Sequence, residues 1–309
     1  LPIIPYDFTP REANFIKALL SGGGLIVILG GLDDRFELSA KVKLLGQIAA
    51  ACIVVFGFGI TVDFVNIPFN NTYSSLESWI SVPLTIFWIV GVTNAVNLID
   101  GLDGLAAGVS GIAIATIAVM SLLMGNVMVA LLCLLLLGSI VGFLFFNFHP
   151  AKIFMGDAGS LFLGFCLALL ALLGFKQIAV VSFITPLLII GVPLSDTFFA
   201  IVRRKLQKKP IFAPDKGHLH HCLRELGFSH RQTVLIIYGI ASFFGILAII
   251  QSTAALKEAN WVTFVVICVM LFFLQIGAEI TGLIGKTKRP LIDFILRLRM
   301  KADSQRGSK

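Results

Sequence analysis

Carboxylates, carboxamides and imidazoles gather in four short clusters of this chain, each bounded by long apolar runs. Asp33 and Asp34 come first, with Lys43 a few residues on. The stretch NAVNLIDGLDG then supplies Asn94, Asn97, Asp100 and Asp103. Asp157 stands in FMGDAGS behind Phe154, and His218, His220 and His221 stand in PDKGHLHH. Acidic groups at a membrane boundary are costly unless they are paired or functional. Asp33, Asp34, Asp100, Asp103 and Asp157 therefore call for a counter-charge. Oxygen ligands without cysteine suit Mg²⁺ or Mn²⁺, and Mg²⁺ is usually held by one or two carboxylates together with substrate phosphates. LIDGLDG and MGDAGS both lie where the chain enters a new helix, whose free N–H groups and positive dipole end suit phosphate. Gly101, Gly104, Gly156 and Gly159 let the backbone come close to a ligand. The chemistry these types suggest is phosphoryl transfer between a soluble donor and a lipid acceptor.

Each residue has a plainer reading on its own. Asp33-Asp34 reads as a solvated loop, Asp100 and Asp157 as helix N-caps, Lys43 as a topology marker and Phe154 as a membrane-anchoring aromatic. The histidine group reads as a polar loop or, by spacing, a metal site. Its Lys and Arg neighbours would repel a cation, so anion binding fits it better. These plainer readings would all have to coincide on one face of the membrane.

The elements that must carry these clusters are apolar helices. Of 309 residues 57% are hydrophobic and 13% charged, with a mean hydropathy of +0.96; a soluble domain carries about a quarter charged residues. Runs of about 20 apolar residues match the bilayer core. Nine spans are expected, roughly 18–32, 44–62, 79–98, 104–124, 126–147, 159–175, 178–202, 232–252 and 260–284. The fold class is all-α, a polytopic transmembrane helical bundle, with residues 1–285 as one integral membrane catalytic domain and 286–309 as a basic tail. The five cysteines form no CxxC pair, so neither a disulfide framework nor a zinc site is read.

With this alternation, twenty of the 24 Lys and Arg fall on one side of the bilayer, leaving Arg11, Lys17, Lys176 and Lys257 on the other. The rich side is cytoplasmic by the positive-inside rule, and it is the side holding all four clusters. The net charge of +7 is thus topological, which removes the nucleic-acid reading. A transporter is the main non-enzymatic rival, but only Asp196 and Glu279 lie within or near spans, and no internal repeat is visible. The tail, with Arg289, Arg297 and Arg299, reads either as a basic helix on anionic lipid or as a solvated segment. The opening Leu1-Pro2-Ile3-Ile4-Pro5 reads as the end of a further apolar segment.

The set DDRFELSAKVKLLGQ, NAVNLIDGLDGLAAG, FNFHPAKIFMGDAGSLFLG and PDKGHLHH resembles the polyprenyl-phosphate N-acetylhexosamine-1-phosphate transferases, from about residue 21 to about 250. The resemblance is nearest to the bacterial undecaprenyl-phosphate N-acetylglucosamine-1-phosphate transferases that start teichoic acid, O-antigen or enterobacterial common antigen synthesis. It implies about eleven spans in the complete fold, two of them before this chain, with a cytoplasmic active site in the bacterial plasma membrane. It implies UDP-GlcNAc and undecaprenyl phosphate as substrates, Mg²⁺ or Mn²⁺ as cofactor, membrane lipid as surroundings, and compatibility with a homodimer. Asp157 would be the principal metal ligand, with Asn97 or Asp100 helping. Asp103 and Phe154 would face the nucleotide, with Asn94 also on the substrate side. Asp33 and Asp34 would lie beside the lipid phosphate, one as base, and Lys43 would hold that phosphate. His218, His220 and His221, with Arg203 or Arg204, would bind the donor pyrophosphate. The sister enzymes that transfer phospho-MurNAc-pentapeptide carry three adjacent histidines, whereas His-Leu-His-His is the pattern of the N-acetylglucosamine branch.

Overall fold

The computed structural model describes residues 9–66, 73–176, 184–210, 217–256 and 259–281. Residues 1–8, 211–216 and those after 281 lie outside them, as do the start of the expected seventh span and the expected basic tail helix. The described chain is helical apart from one ribbon, Phe64–Asn66 paired antiparallel with Tyr73–Ser75.

Eight of the nine expected spans are single helices long and apolar enough to cross a membrane. They are α1 (Pro10–Phe36), α2 (Ala40–Cys52, continued by a π-helical turn to Gly57), α3 (Ser78–Leu98), α4 (Leu105–Leu123), α5 (Val127–Asn147), α6 (Gly156–Lys176), α10 (His230–Leu256) and α11 (Asn260–Ile280). Helix α1 starts about two turns before the expected span. Thr9 and Glu12 form a capping box and Pro10 sits at the first helical position, so the polar residues Arg11 to Lys17 belong to the helix.

The seventh span departs from expectation. Instead of one helix over 178–202, the described part comprises α7 (Ile184–Ile189) and α8 (Gly191–Leu206), broken at Ile190. Pro193 has no N–H with which to bond the Ile189 carbonyl, and this disrupts the helix at that point. A short helix in the following loop, α9 (Leu219–Glu225), was also not anticipated.

Helix α4 is the most enclosed of these spans and α11 the most peripheral. Helix α6 packs on α1 and α3, and α4 packs on α5 and α10. Lipid tails give apolar helices no hydrophobic reason to associate, so close approach through small residues matters. At the α1–α6 crossing a Cβ on Gly30 would stand 2.4 Å from the Ala158 Cα, a distance backbones cannot accept. Trp88 Nε1 donates to the Ala168 carbonyl at 3.1 Å, tying α3 to α6. We expect Gly30→Ala to lower thermal stability by about 1–3 kcal/mol and to lower turnover, because the crossing lies one turn from Asp33. Melting curves in detergent test this, and an unchanged melting temperature would contradict the crossing.

Candidate active site

Asp33 and Asp34 share the last turn of α1 and serve different neighbours. Asp33, 8% exposed, accepts the Leu38 N–H at 2.7 Å and the Lys43 ammonium at 2.8 Å. Lys43, from α2, also donates to Asp157 Oδ2 at 2.9 Å. On the far side of Asp157, Asn97 Nδ2 at the end of α3 donates to Oδ1 at 3.0 Å and to Ser160 Oγ at 2.8 Å. Four helices thus meet on the Asp157 carboxylate. A single ammonium lying between two carboxylates from α1 and α6 marks a position where positive charge is favoured.

Asp34 points to the α6 backbone. Its two oxygens accept the N–H groups of Asp157 at 2.7 Å and Ala158 at 3.2 Å, capping that helix from another one. Gly156 has a φ of +65°, and a Cβ there would meet Asp34 Oδ2 at 2.7 Å. The α6 N-terminus, expected to be open to phosphate, is therefore occupied at its first N–H groups by Asp34. Asn94 exchanges hydrogen bonds with Gln47 of α2 and donates to the Val90 carbonyl; its amide joins α3 to α2.

The turn between α3 and α4 is pinned from outside. Asn147 Oδ1 accepts the Gly104 N–H at 3.0 Å, and the Tyr238 hydroxyl donates to the Gly104 carbonyl. Burial pushes the Asp100 carboxyl up to about 6, reinforced by the negative charges of Asp157 and Asp34. An unfolded aspartate titrates near 4. Between those values the folded protein holds a proton that the unfolded chain has lost, so stability rises as pH falls through this window. We expect Asp100→Asn to raise the melting temperature of metal-free protein at pH 7.5, by about 1–3 kcal/mol in stability, and to flatten the rise that wild type shows on acidification to pH 5. Melting curves at the two pH values test it, and a variant less stable than wild type at pH 7.5 would refute it.

Burial opposes ionisation of Asp103, but hydrogen bonds from His149 Nδ1 at 2.8 Å and the Ala151 N–H at 3.2 Å outweigh it and hold the carboxyl below its ordinary value. His149 in turn stacks on His230, with centroids 4.1 Å apart and planes 16° from parallel. Asp103, His149 and His230 offer ligand atoms within 4.8 Å of one another. An imidazole binds a metal in its own plane, so two face-to-face rings do not converge on one ion. We read this group as a clamp on the turn.

The histidine loop folds onto the same turn. A Cβ on Gly101 would lie 2.5 Å from His220 Nε2, so the ring rests directly on the LIDGLDG backbone. His220 is 2% exposed, and burial, aided by the charge of His221, lowers its pKa to about 4, which keeps it neutral. His221 is exposed and adjoins it at 4.2 Å between centroids. Arg203 and Arg204 end α8 and are buried; Arg203 donates to the Thr281 carbonyl at 3.3 Å and packs against Gly217. Phe154 is 78% exposed on the same side.

Sequence reasoning thus named the groups around Asp157 and left out several that hold them. Ser160, Gln47 and His149 lie inside the quoted motifs but were given no role of their own, as was His230 beside the same face, and Asp196 was noted only as a charge within a span. Asp33 and Asp157 face each other across the Lys43 ammonium and Asp100 lies near enough to feel the charge of Asp157; carboxylate oxygens gathered in this way fit a hard divalent ion.

Residues 16–175 match the sequence profile of the family described as Glycosyl transferase family 4. A probable undecaprenyl-phosphate N-acetylglucosaminyl 1-phosphate transferase of Bacillus subtilis is 49% identical over 284 residues, covering 92% of this chain and 78% of that protein. A decaprenyl-phosphate N-acetylglucosaminephosphotransferase of Mycobacterium tuberculosis is 38% identical over 252 residues, 74% of this chain and 62% of the relative. A phospho-N-acetylmuramoyl-pentapeptide-transferase of Listeria innocua is 34% identical over 235 residues, 72% of this chain and 70% of the relative. The chain thus spans less than two thirds of the mycobacterial relative.

Proposed function

Because the chain belongs to the polyprenyl-phosphate N-acetylglucosamine-1-phosphate transferase family of multi-pass membrane proteins, we propose that it moves GlcNAc-1-phosphate from UDP-GlcNAc to undecaprenyl phosphate at the cytoplasmic face of a bacterial membrane. The observation that carries this reading is the meeting of Asp33, Lys43, Asn97 and Asp157 on one point, with the histidine loop resting on the adjoining turn. That arrangement suits two phosphate-bearing substrates brought together from opposite sides.

In this reading an oxygen of the lipid phosphate attacks the phosphorus that bears the sugar. The bond from that phosphorus to the UMP oxygen breaks, and UMP leaves with the electron pair. A phosphate monoester has its second pKa near 6, so the acceptor is largely ionised at neutral pH and needs positioning more than deprotonation. Lys43 lies where it can hold the acceptor against Asp33. Asp34 keeps α6, and with it Asp157, in register. Asp157, with Asn97 or Asp100, would hold Mg²⁺ or Mn²⁺, whose positive charge offsets the charge that develops on the phosphoryl oxygens. The His218–His221 segment with Arg203 or Arg204 would take the donor pyrophosphate, and Asp103 with Phe154 the nucleoside.

The test is UMP release by purified full-length protein from UDP-GlcNAc and undecaprenyl phosphate, with and without Mg²⁺, alongside UDP-MurNAc-pentapeptide. UMP that needs the lipid, the metal and UDP-GlcNAc is the expected result. UMP from the pentapeptide donor alone would move the chain to the sister reaction, and none from either donor would remove the assignment.

A further inference from the structure

Helix α8 carries a carboxylate at a depth where charge is expensive. Asp196 is 3% exposed, and an ionised group so enclosed costs several kcal/mol unless its oxygens are paired. Both oxygens are engaged by the histidine loop. Oδ2 meets His218 Nδ1 at 2.9 Å, and Oδ1 accepts the Leu219 N–H at 2.8 Å. His218 is the N-cap of α9, and its own side chain makes no capping bond. Asp196 therefore takes the first N–H of α9 and the imidazole beside it with one carboxylate.

We propose that Asp196 is a positioning residue for donor binding: it fixes the ring of His218 and the start of α9, and so sets the His218–His221 segment against the Asp100–Asp103 turn. This rests on the functional reading above and deepens it. A carboxylate that accepts at both oxygens requires Nδ1 of His218 to carry hydrogen, so Nε2 is the nitrogen left for other partners. The ring of His218 lies 4° from parallel to that of His220, at 5.9 Å between centroids, and His220 in turn rests on Gly101. Orientation imposed at Asp196 is handed along two stacked rings to the turn that carries Asp100 and Asp103. The break at Ile190 gives α8 its own start within the span.

Asp196→Asn offers one acceptor and one donor where two acceptors are needed, so one partner is lost. Such supporting contacts typically matter tenfold to hundredfold, and we expect kcat/KM for UDP-GlcNAc to fall by about that much with KM for undecaprenyl phosphate unchanged. If Asp196 works through His218, the double variant Asp196→Asn/His218→Ala is no worse than His218→Ala alone. Independent, multiplying losses, an equal loss toward both substrates, or wild-type kinetics in Asp196→Asn would overturn the proposal. Should Asp196→Asn fail to fold, ¹⁵N-histidine NMR of wild type reads the contact directly. A hydrogen-bonded, protonated Nδ1 resonance that disappears in His218→Ala supports the proposal, and its absence overturns it. That spectrum stands whether or not wild type releases UMP, so failure of the functional reading remains separate from failure of this one.

Discussion

Asp157→Asn is expected to lower kcat/KM for UDP-GlcNAc by about a thousandfold or more, the scale of removing a central electrostatic group from a phosphoryl-transfer site. The substitution keeps size and shape. The residue's backbone N–H still reaches Asp34, so α6 stays capped, and Lys43 retains its bond to Asp33. What disappears is one negative charge at the point where α1, α2, α3 and α6 meet. Melting temperature should change little while UMP release collapses. Activity within tenfold of wild type, in protein that melts normally, would take Asp157 away from the centre of the reaction.

Lys43→Met should produce the second large loss, about a hundredfold in kcat/KM for the lipid acceptor, together with a new sensitivity to divalent ions. With the ammonium gone, the enclosed Asp33 and the half-buried Asp157 face each other without a cation between them. Like charges at that range raise the free energy of the folded state. A bound divalent ion would relieve them. Millimolar Mn²⁺ is therefore expected to raise the melting temperature of Lys43→Met more than that of wild type, whereas Lys43→Arg, which keeps the charge, should behave like wild type. An equal Mn²⁺ response in all three proteins would show that Lys43 and the ion do not share a location.

The expected spans that were right are those where length alone decides, since about 20 apolar residues in a row have few alternatives to a membrane helix. The seventh is interrupted at Ile190, a detail hydropathy does not register because it sees composition and not hydrogen bonding. Pro193 lay in plain view, and its consequence for the Ile189 carbonyl emerges only by counting four residues back. The ribbon at Phe64–Asn66 and Tyr73–Ser75 and the short α9 fall in loops too brief for periodicity to register.

The site was legible as four motifs on one face, but not as a geometry. Nothing in the spacing of Asp33 and Asp34 says that one would hold an ammonium and the other would cap a helix more than 120 residues away in sequence. Asp196 could have been weighed more heavily, since a lone carboxylate in an apolar run demands a buried partner. That partner, His218, sits 22 residues downstream in a different element, beyond the reach of any local pattern.

Gly30, Asp33 and Asp34 are spaced by three and four residues and so occupy one flank of α1. The first lets α6 approach, and the last holds the start of α6. Helix α1 therefore acts as a ruler whose zero mark is the glycine crossing. One residue inserted between mark and carboxylates would turn both by about 100° and advance them by about 1.5 Å, carrying Asp33 into the place of Asp34 and Asp34 into that of Arg35, so that neither keeps its partners while every membrane span stays intact. Insertion should consequently have two distinct effects along this helix: before Gly22 it turns Phe15 and Ala18 out of the core and lowers stability while leaving the carboxylates in phase, whereas over the single turn from Gly30 to Asp34 it removes activity, because phase is what the chemistry reads.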